Sequence, residues 1–341
     1  MIVVRRLVSL LALFFIALGV FFAAAKFNVP WYGSNDFRHY SLMVETPFSA
    51  ESRAPFGYRV VTPAVAHVIW RSGLFYAPKE TPFKDAFSLH EGVRFSGDIL
   101  NALIFTNFMM LVGAAFILTQ ALRLSPGGGA DAISPFSEVM WASMIFMSFS
   151  TVVFGFAGIT EGGTLLFVSL LLFLHRAKMQ VWFFVVVIIS AFQRELISVV
   201  MMVYLLSSGA RRNRPYVLAA LISFFAYASA RIFLPLPGHE DQLQLSSYLQ
   251  NFSSFSVDRD FFLQVVVAQN IVWAFLALIA VYHLAAIREF VPYFCVLGVL
   301  FVLSVGTDIG PNAGRILNIA LPIFLITLGE VMVGMSSRRS F

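Results

Sequence analysis

The chain has one cysteine, Cys295, so no intrachain disulfide can form and the redox compartment cannot be read from cysteine usage. Charge is scarce too: only 12% of the 341 residues are Asp, Glu, Lys or Arg, against 59% hydrophobic residues. With a mean hydropathy of +0.83, such a chain cannot close a soluble fold without exposing large apolar surface. Histidines are few: His175, His239 and His283 are scattered and no two share a helix face at ligand spacing, so nothing argues for a bound metal or other cofactor. The excess of Lys and Arg, a net charge of +5, falls in short clusters and forms no basic domain, which excludes nucleic acid as a partner.

What is abundant is long apolar sequence. Crossing a hydrocarbon core of ~30 Å takes roughly 20 apolar residues as helix, because only helices and closed barrels satisfy every backbone N–H and C=O there. Unbroken apolar runs, without the alternation of barrel strands, predict an all-α polytopic integral membrane protein. About ten helical spans are read near 5–25, 98–122, 136–156, 163–176, 180–192, 196–208, 214–233, 263–286, 290–305 and 316–335. They form a single transmembrane domain over 1–341, with outer loops over 26–97 and 237–262. Cys295, inside such a run, reads as core filler.

Cytoplasmic loops retain positive charge. One topology, with the N- and C-termini inside, places Arg5, Arg6, Arg123, Arg176, Lys178, Arg211, Arg212, Arg214, Arg288, Arg338 and Arg339 on the cytoplasmic side. Arg5-Arg6, an apolar run and Ala23-Ala24-Ala25 also resemble a signal peptide; an uncleaved anchor is favoured, and the later topology is the same in either case. The inner turns are short, such as Ser125-Pro126-Gly127-Gly128-Gly129, which lacks the Lys-Ser/Thr of a phosphate loop, and they leave little room for a site.

The outer side is richer. It gathers Asp36, Arg38, His39, Glu45, Glu51, Arg53, Arg59, Asp98, Glu161, Arg194, Glu195, Arg231, Asp308 and Arg315. Asn35 to Tyr40 reads as a polar, charged loop. From about 59 to 72, Val60, Val61, Ala64, Val65, Val68, Ile69 and Trp70 recur at near-helical spacing, with Pro63 suited to a first turn; this predicts an amphipathic juxtamembrane helix pressed on the membrane. Arg59 at its start could grip a phosphate bidentately or simply snorkel at the interface. Arg194 and Glu195, between apolar runs, read either as groups at an aqueous cavity or as an ion pair packing two helix ends. Asp308 and Arg315 flank the turn Gly310-Pro311-Asn312, where a helix-end salt bridge competes with a ligand contact. Glu161 stands between Gly158 and Gly162, at a span end that reads as a re-entrant turn. Asn251-Phe252-Ser253 has glycosylation spacing, and 38 phenylalanines suit isoprenoid packing as well as ordinary lipid contact.

Taken together, Asp36 as Asp-x-x-His-Tyr after the first span, Tyr58-Arg59-Val60-Val61-Thr62-Pro63, Gly158-Ile159-Thr160-Glu161-Gly162-Gly163, Ala191-Phe192-Gln193-Arg194-Glu195, and Arg315 ahead of Pro322 resemble the GT-C superfamily of polytopic glycosyltransferases. The resemblance covers most of the chain by order and topology, through short motifs. It implies transfer of a sugar from a polyprenyl-phosphate donor to an acceptor on the outer face, with inversion. Asp36 would be the general base, and Arg38, His39, Tyr40, Arg59, Glu161, Arg194, Glu195 and Arg315 would bind substrate. The chain departs from better-known members in having no adjacent acidic pair in the first loop, no soluble C-terminal domain and fewer spans, and the missing pair puts metal dependence in doubt. Two other classes stay open: a transporter or flippase of lipid-linked saccharides, and a non-catalytic partner subunit of GT-C-like fold.

Overall fold

Apolar runs of this length, closed on themselves by backbone hydrogen bonds, give an all-helical molecule. The computed structural model describes residues 2–27, 35–47, 58–74, 97–124, 134–154, 160–209, 213–234, 236, 245–255, 263–306 and 313–339, among which there are 15 α-helices and no strand. In chain order these are α1 (Ile2–Phe27), α2 (Asn35–Glu45), α3 (Val61–Ser72), α4 (Gly97–Arg123), α5 (Pro135–Met147), α6 (Phe149–Phe154), α7 (Glu161–Arg176) and α8 (Gln180–Ala191). They continue as α9 (Leu196–Ser207), α10 (Arg214–Phe233), α11 (Leu245–Ser253), α12 (Asn270–Tyr282), α13 (Val291–Gly306), α14 (Ala313–Leu317) and α15 (Leu321–Arg339).

Five stretches among the described residues are long and apolar enough to cross a membrane: Val4–Phe21, Asn101–Arg123, Arg214–Phe233, Leu284–Gly306 and Gly314–Gly334. They fit an integral membrane protein, and they differ in burial. The windows in α4 and at 314–334 are 72% and 83% buried, whereas those in α1, α10 and at 284–306 are only 22%, 28% and 33% buried. So α4 and α15 form the protein-lined centre, and the others turn apolar faces outward, such as Phe225 and Phe233 on α10. The lone Cys295 lies on such an outward face of α13, so it is exposed and does not fill the core. The 12-residue α8 and α9 are each about 18 Å long at about 1.5 Å per residue, short of a full crossing on their own.

Proline explains many of the boundaries. Five helices carry one in their first turn: Pro63 in α3, Pro135 in α5, Pro215 in α10, Pro292 in α13 and Pro322 in α15. A first-turn N–H has no intrahelical partner, so proline loses nothing there, while it cannot bond the carbonyl four residues before it and so stops an α-helix from running through. Pro322 thereby breaks the expected span 316–335 into α14, a 3-10 turn over Asn318–Ala320, and α15. The spans 136–156 and 263–286 are broken too, at Ser148, which is extended (φ −61°, ψ 130°), and at a π-turn over Leu263–Val267 before α12.

The three breaks meet. Ser148 Oγ lies 3.2 Å from Asn318 Oδ1 and 3.4 Å from the Ala268 carbonyl. Ser150 Oγ donates to the Gly314 carbonyl at 3.0 Å, and Asn318 Nδ2 donates to Thr151 Oγ1 at 3.2 Å. Carbonyls freed by broken helices thus find side-chain donors on the other broken helices, as they must where lipid offers none.

Two expectations change around the first outer loop. Residues 35 to 40 are the start of α2 and not a loop, and the juxtamembrane helix begins at Val61, two residues later than read. That helix also packs on protein: Thr62, Pro63 and Ala66 are buried, and His67 Nδ1 is 2.6 Å from the Val44 carbonyl of α2, leaving Val65 and Val68 exposed. Gly127 to Gly129, Gly158, Asp308, Arg211, Arg212 and His239 lie outside the described residues. Within the second outer loop Asn251 is on α11, its amide donating to the Gly306 carbonyl at 2.9 Å.

Candidate functional site

Charged groups in an apolar protein must find each other or water, since an unpaired buried charge costs several kcal/mol or more. At one end of the bundle, five charged side chains do so. Arg59, just before α3, forks onto Glu195 with Nη2 to Oε1 at 2.8 Å and Nε to Oε2 at 3.2 Å. Glu161, the first residue of α7, is 2% exposed and takes two guanidiniums on its Oε1: Arg194 Nη1 at 2.9 Å and, still closer, Arg315 Nε. Arg59 and Arg194 sit in connections, and Arg315 is in α14; all three are more than nine-tenths buried.

Arg194 and Glu195 are adjacent in sequence, and the expected pair between them does not form. Each instead takes a partner from another element, because consecutive side chains at a helix start point in different directions. Arg315 likewise joins Glu161; Asp308, its expected partner, lies outside the described residues.

A neutral layer fixes this array. Gln193 Nε2 donates to the Thr160 carbonyl at 2.7 Å, and Gln193 Oε1 accepts from Thr62 N at 3.0 Å and Thr62 Oγ1 at 2.9 Å. Asn107 Oδ1 of α4 accepts from Gly162 N at 2.9 Å. The two glycines after Glu161 are required by this closeness. A Cβ at Gly162 would lie 2.7 Å from both Asn107 O and Oδ1, and one at Gly163 would overlap Gln193 Nε2 and lie 2.5 Å from Thr62 Oγ1. Tyr40 of α2 completes the layer, its hydroxyl 3.5 Å from Arg59 Nη1 and 3.5 Å from Thr160 Oγ1. Beside it, Tyr58 donates to the Leu234 carbonyl at 2.8 Å and lies under the Arg231 guanidinium, 5.4 Å from its ring centroid.

The electrostatics follow from burial and pairing. For Glu195 burial is the largest influence and would raise its pKa, but the charge and hydrogen bonds of Arg59 outweigh it and hold the carboxyl at about 2. Burial lowers Arg194, Glu161 offsets part of that, and the Arg315 and Arg59 charges lower it again, to about 10, so it remains a cation at neutral pH. Within the array, Glu161 Oε2 and Arg194 Nε are buried with no hydrogen-bond partner among the described residues.

Of the residues singled out from sequence, the structure therefore brings together Tyr40, Arg59, Glu161, Arg194, Glu195 and Arg315. Asp36, Arg38 and His39 are on α2, with Asp36 one helical turn before Tyr40. Sequence reasoning missed the neutral residues that do the clamping, Thr62, Asn107 and Gln193; Gln193 had a cue in its place beside Arg194. No family model matches the chain, nor does any curated protein or solved structure. Among the described residues no group of three His, Cys, Asp or Glu is placed to hold a metal ion.

The opposite end of the bundle carries a separate set of ions. Glu138 is 1% exposed, bonded by Arg123 at 2.5 and 2.6 Å and approached by Arg5 at 3.8 Å. Arg176 reaches Glu330 at 2.9 Å. Because α1 buries Leu13 and Ala17 in the core and stacks Phe14 and Phe21 on Phe108, it is an integral part of the packing.

Proposed function

We propose that the protein is a polytopic membrane glycosyltransferase similar to the GT-C superfamily, moving a sugar from a polyprenyl-phosphate donor to an acceptor hydroxyl on the outer face. In this reading the chain crosses a bacterial inner membrane ten times, both termini are cytoplasmic, and the arginine array faces outside. The observation that carries it is the convergence of Arg59, Arg194 and Arg315, drawn from distant parts of the sequence, beside the helix that bears Asp36.

The chemistry would run as follows. Asp36 removes the acceptor hydroxyl proton, the acceptor oxygen bonds to the anomeric carbon, and the bond from that carbon to the phosphate oxygen breaks with inversion. The leaving phosphate carries the electron pair and needs preorganised cations. Arg59 is the first of these. Its fork already holds a carboxylate, Glu195, and a phosphate presents a similar pair of oxygens to the same donors. Arg194 and Arg315 extend the positive surface, Glu161 and Glu195 hold the arginines in register, and Arg38, His39 and Tyr40, on the same helix as the base, would contribute substrate contacts.

Native mass spectrometry of gently extracted protein tests the substrate class. A co-purified polyprenyl phosphate or its glycosylated form, lost in Arg59→Ala and partly kept in Arg59→Lys, is expected; ordinary phospholipids alone would remove the basis for a lipid-phosphate donor. Asp36→Asn should keep the bound lipid and lose transfer.

A transporter or flippase of lipid-linked saccharides is a second reading, favoured by the three broken helices and their polar junction, a pattern such proteins use near substrate paths. It predicts lipid movement that survives Asp36→Asn. A non-catalytic partner subunit predicts neither activity.

A further inference from the structure

The short turns at the other end of the bundle were expected to leave little room, yet they border a cavity of about 320 Å³ lined by His283, Arg288, Glu289, Thr327, Glu330 and Val331. Its depth is set by the helices around it: one apolar span begins at Leu284 and another ends at Gly334, so the cavity lies where hydrocarbon gives way to headgroups. Its lining carries both signs of charge. Arg288 and Glu289 stand on the 3-10 turn Leu284–Phe290, both exposed and touching each other only at 3.4 Å. Such a contact is worth little and yields easily to a better partner. Glu330 comes from α15, and Arg176 at 2.9 Å fixes its carboxylate in place. Ala285, Ala286 and Val331 add an apolar wall.

Arg288 and Arg176 balance Glu289 and Glu330, so a purely anionic headgroup gains no net attraction. A zwitterion finds a partner for each charge. We propose that this cavity binds the headgroup of a phosphoethanolamine lipid, the phosphodiester on Arg288 and His283 and the primary ammonium on Glu289 and Glu330. A choline headgroup of the same charge lacks the N–H donors that two carboxylates require. This site is independent of the arginine array and of the activity proposed for it.

The test is native mass spectrometry of the full chain in micelles holding equimolar phosphatidylethanolamine, phosphatidylcholine and phosphatidylglycerol. Wild type should retain the ethanolamine lipid about tenfold over each of the others, equivalent to about 1.4 kcal/mol. The Arg288→Ala/Glu289→Gln variant should bring that ratio close to one. Both substitutions are at exposed positions, and either single variant serves if the double one fails to fold. Equal retention of the three lipids by wild type would overturn the assignment, as would an undiminished preference in the variants.

Discussion

Breaking the Arg59–Glu195 pair on one side should damage the protein more than removing it altogether. The guanidinium donates two hydrogen bonds to the carboxylate, and the two side chains are only 10% and 22% exposed. Removing one partner of a buried pair leaves an uncompensated charge and costs about 3–5 kcal/mol, whereas replacing both by apolar groups is neutral or gains about 1–4 kcal/mol. Partial exposure of Glu195 puts Arg59→Leu and Glu195→Leu near the lower bound, about 3 kcal/mol each. The double variant Arg59→Leu/Glu195→Leu should return close to wild type, a coupling of several kcal/mol. Equilibrium unfolding in mixed detergent micelles, followed by tryptophan fluorescence, measures all four proteins. If the double variant loses the sum of the two single losses, the pair is not coupled and the reasoning fails.

The same pair makes a prediction in pH. The folded carboxyl of Glu195 is held at about 2, below its ordinary 4.5. Its contribution to stability is therefore complete above about 4.5 and is lost as pH falls towards 2; over that window wild type should lose stability relative to Glu195→Gln, and a constant difference would contradict it. Gly163→Ala should lower stability by about 1–3 kcal/mol through overpacking on Gln193 and Thr62, while Gly298→Ala, with open space around its Cβ position, should be near neutral in the same thermal melt. Trp141→Phe removes the donor that bonds the buried Leu325 carbonyl at 2.9 Å and should cost about 1–3 kcal/mol, measured by the same unfolding titration. In a Cys295→Ser background, an impermeant thiol reagent added outside should label Glu45→Cys and miss Arg212→Cys; the opposite pattern would invert the orientation.

Much of the helical layout was legible because apolar runs and proline both leave sequence marks. Arg214–Phe233 was read with its observed bounds, and Gln180–Ala191 and Leu196–Ser207 to within one residue. The breaks at Ser148 and ahead of α12 were not legible: no proline marks them, and they are stabilised by hydrogen bonds to residues more than 100 positions away. For the candidate site, the members could be named because a charge between apolar runs stands out. Their pairing could not, since it depends on which helix ends are neighbours. The polar loop expected at residues 35 to 40 became α2 because its polar residues are helix-compatible and its later part, with Tyr40, Met43 and Val44, has a face to bury.

The junction of the broken helices also constrains how the chain is made. Ser148 and Ser150 emerge from the ribosome long before Ala268, Gly314 and Asn318, the residues that complete their hydrogen bonds. Until those later segments arrive, the gap between α5 and α6 exposes polar backbone that bare lipid cannot satisfy. The junction can therefore close only once the chain as far as Asn318 is in place, so the early half cannot complete its own packing.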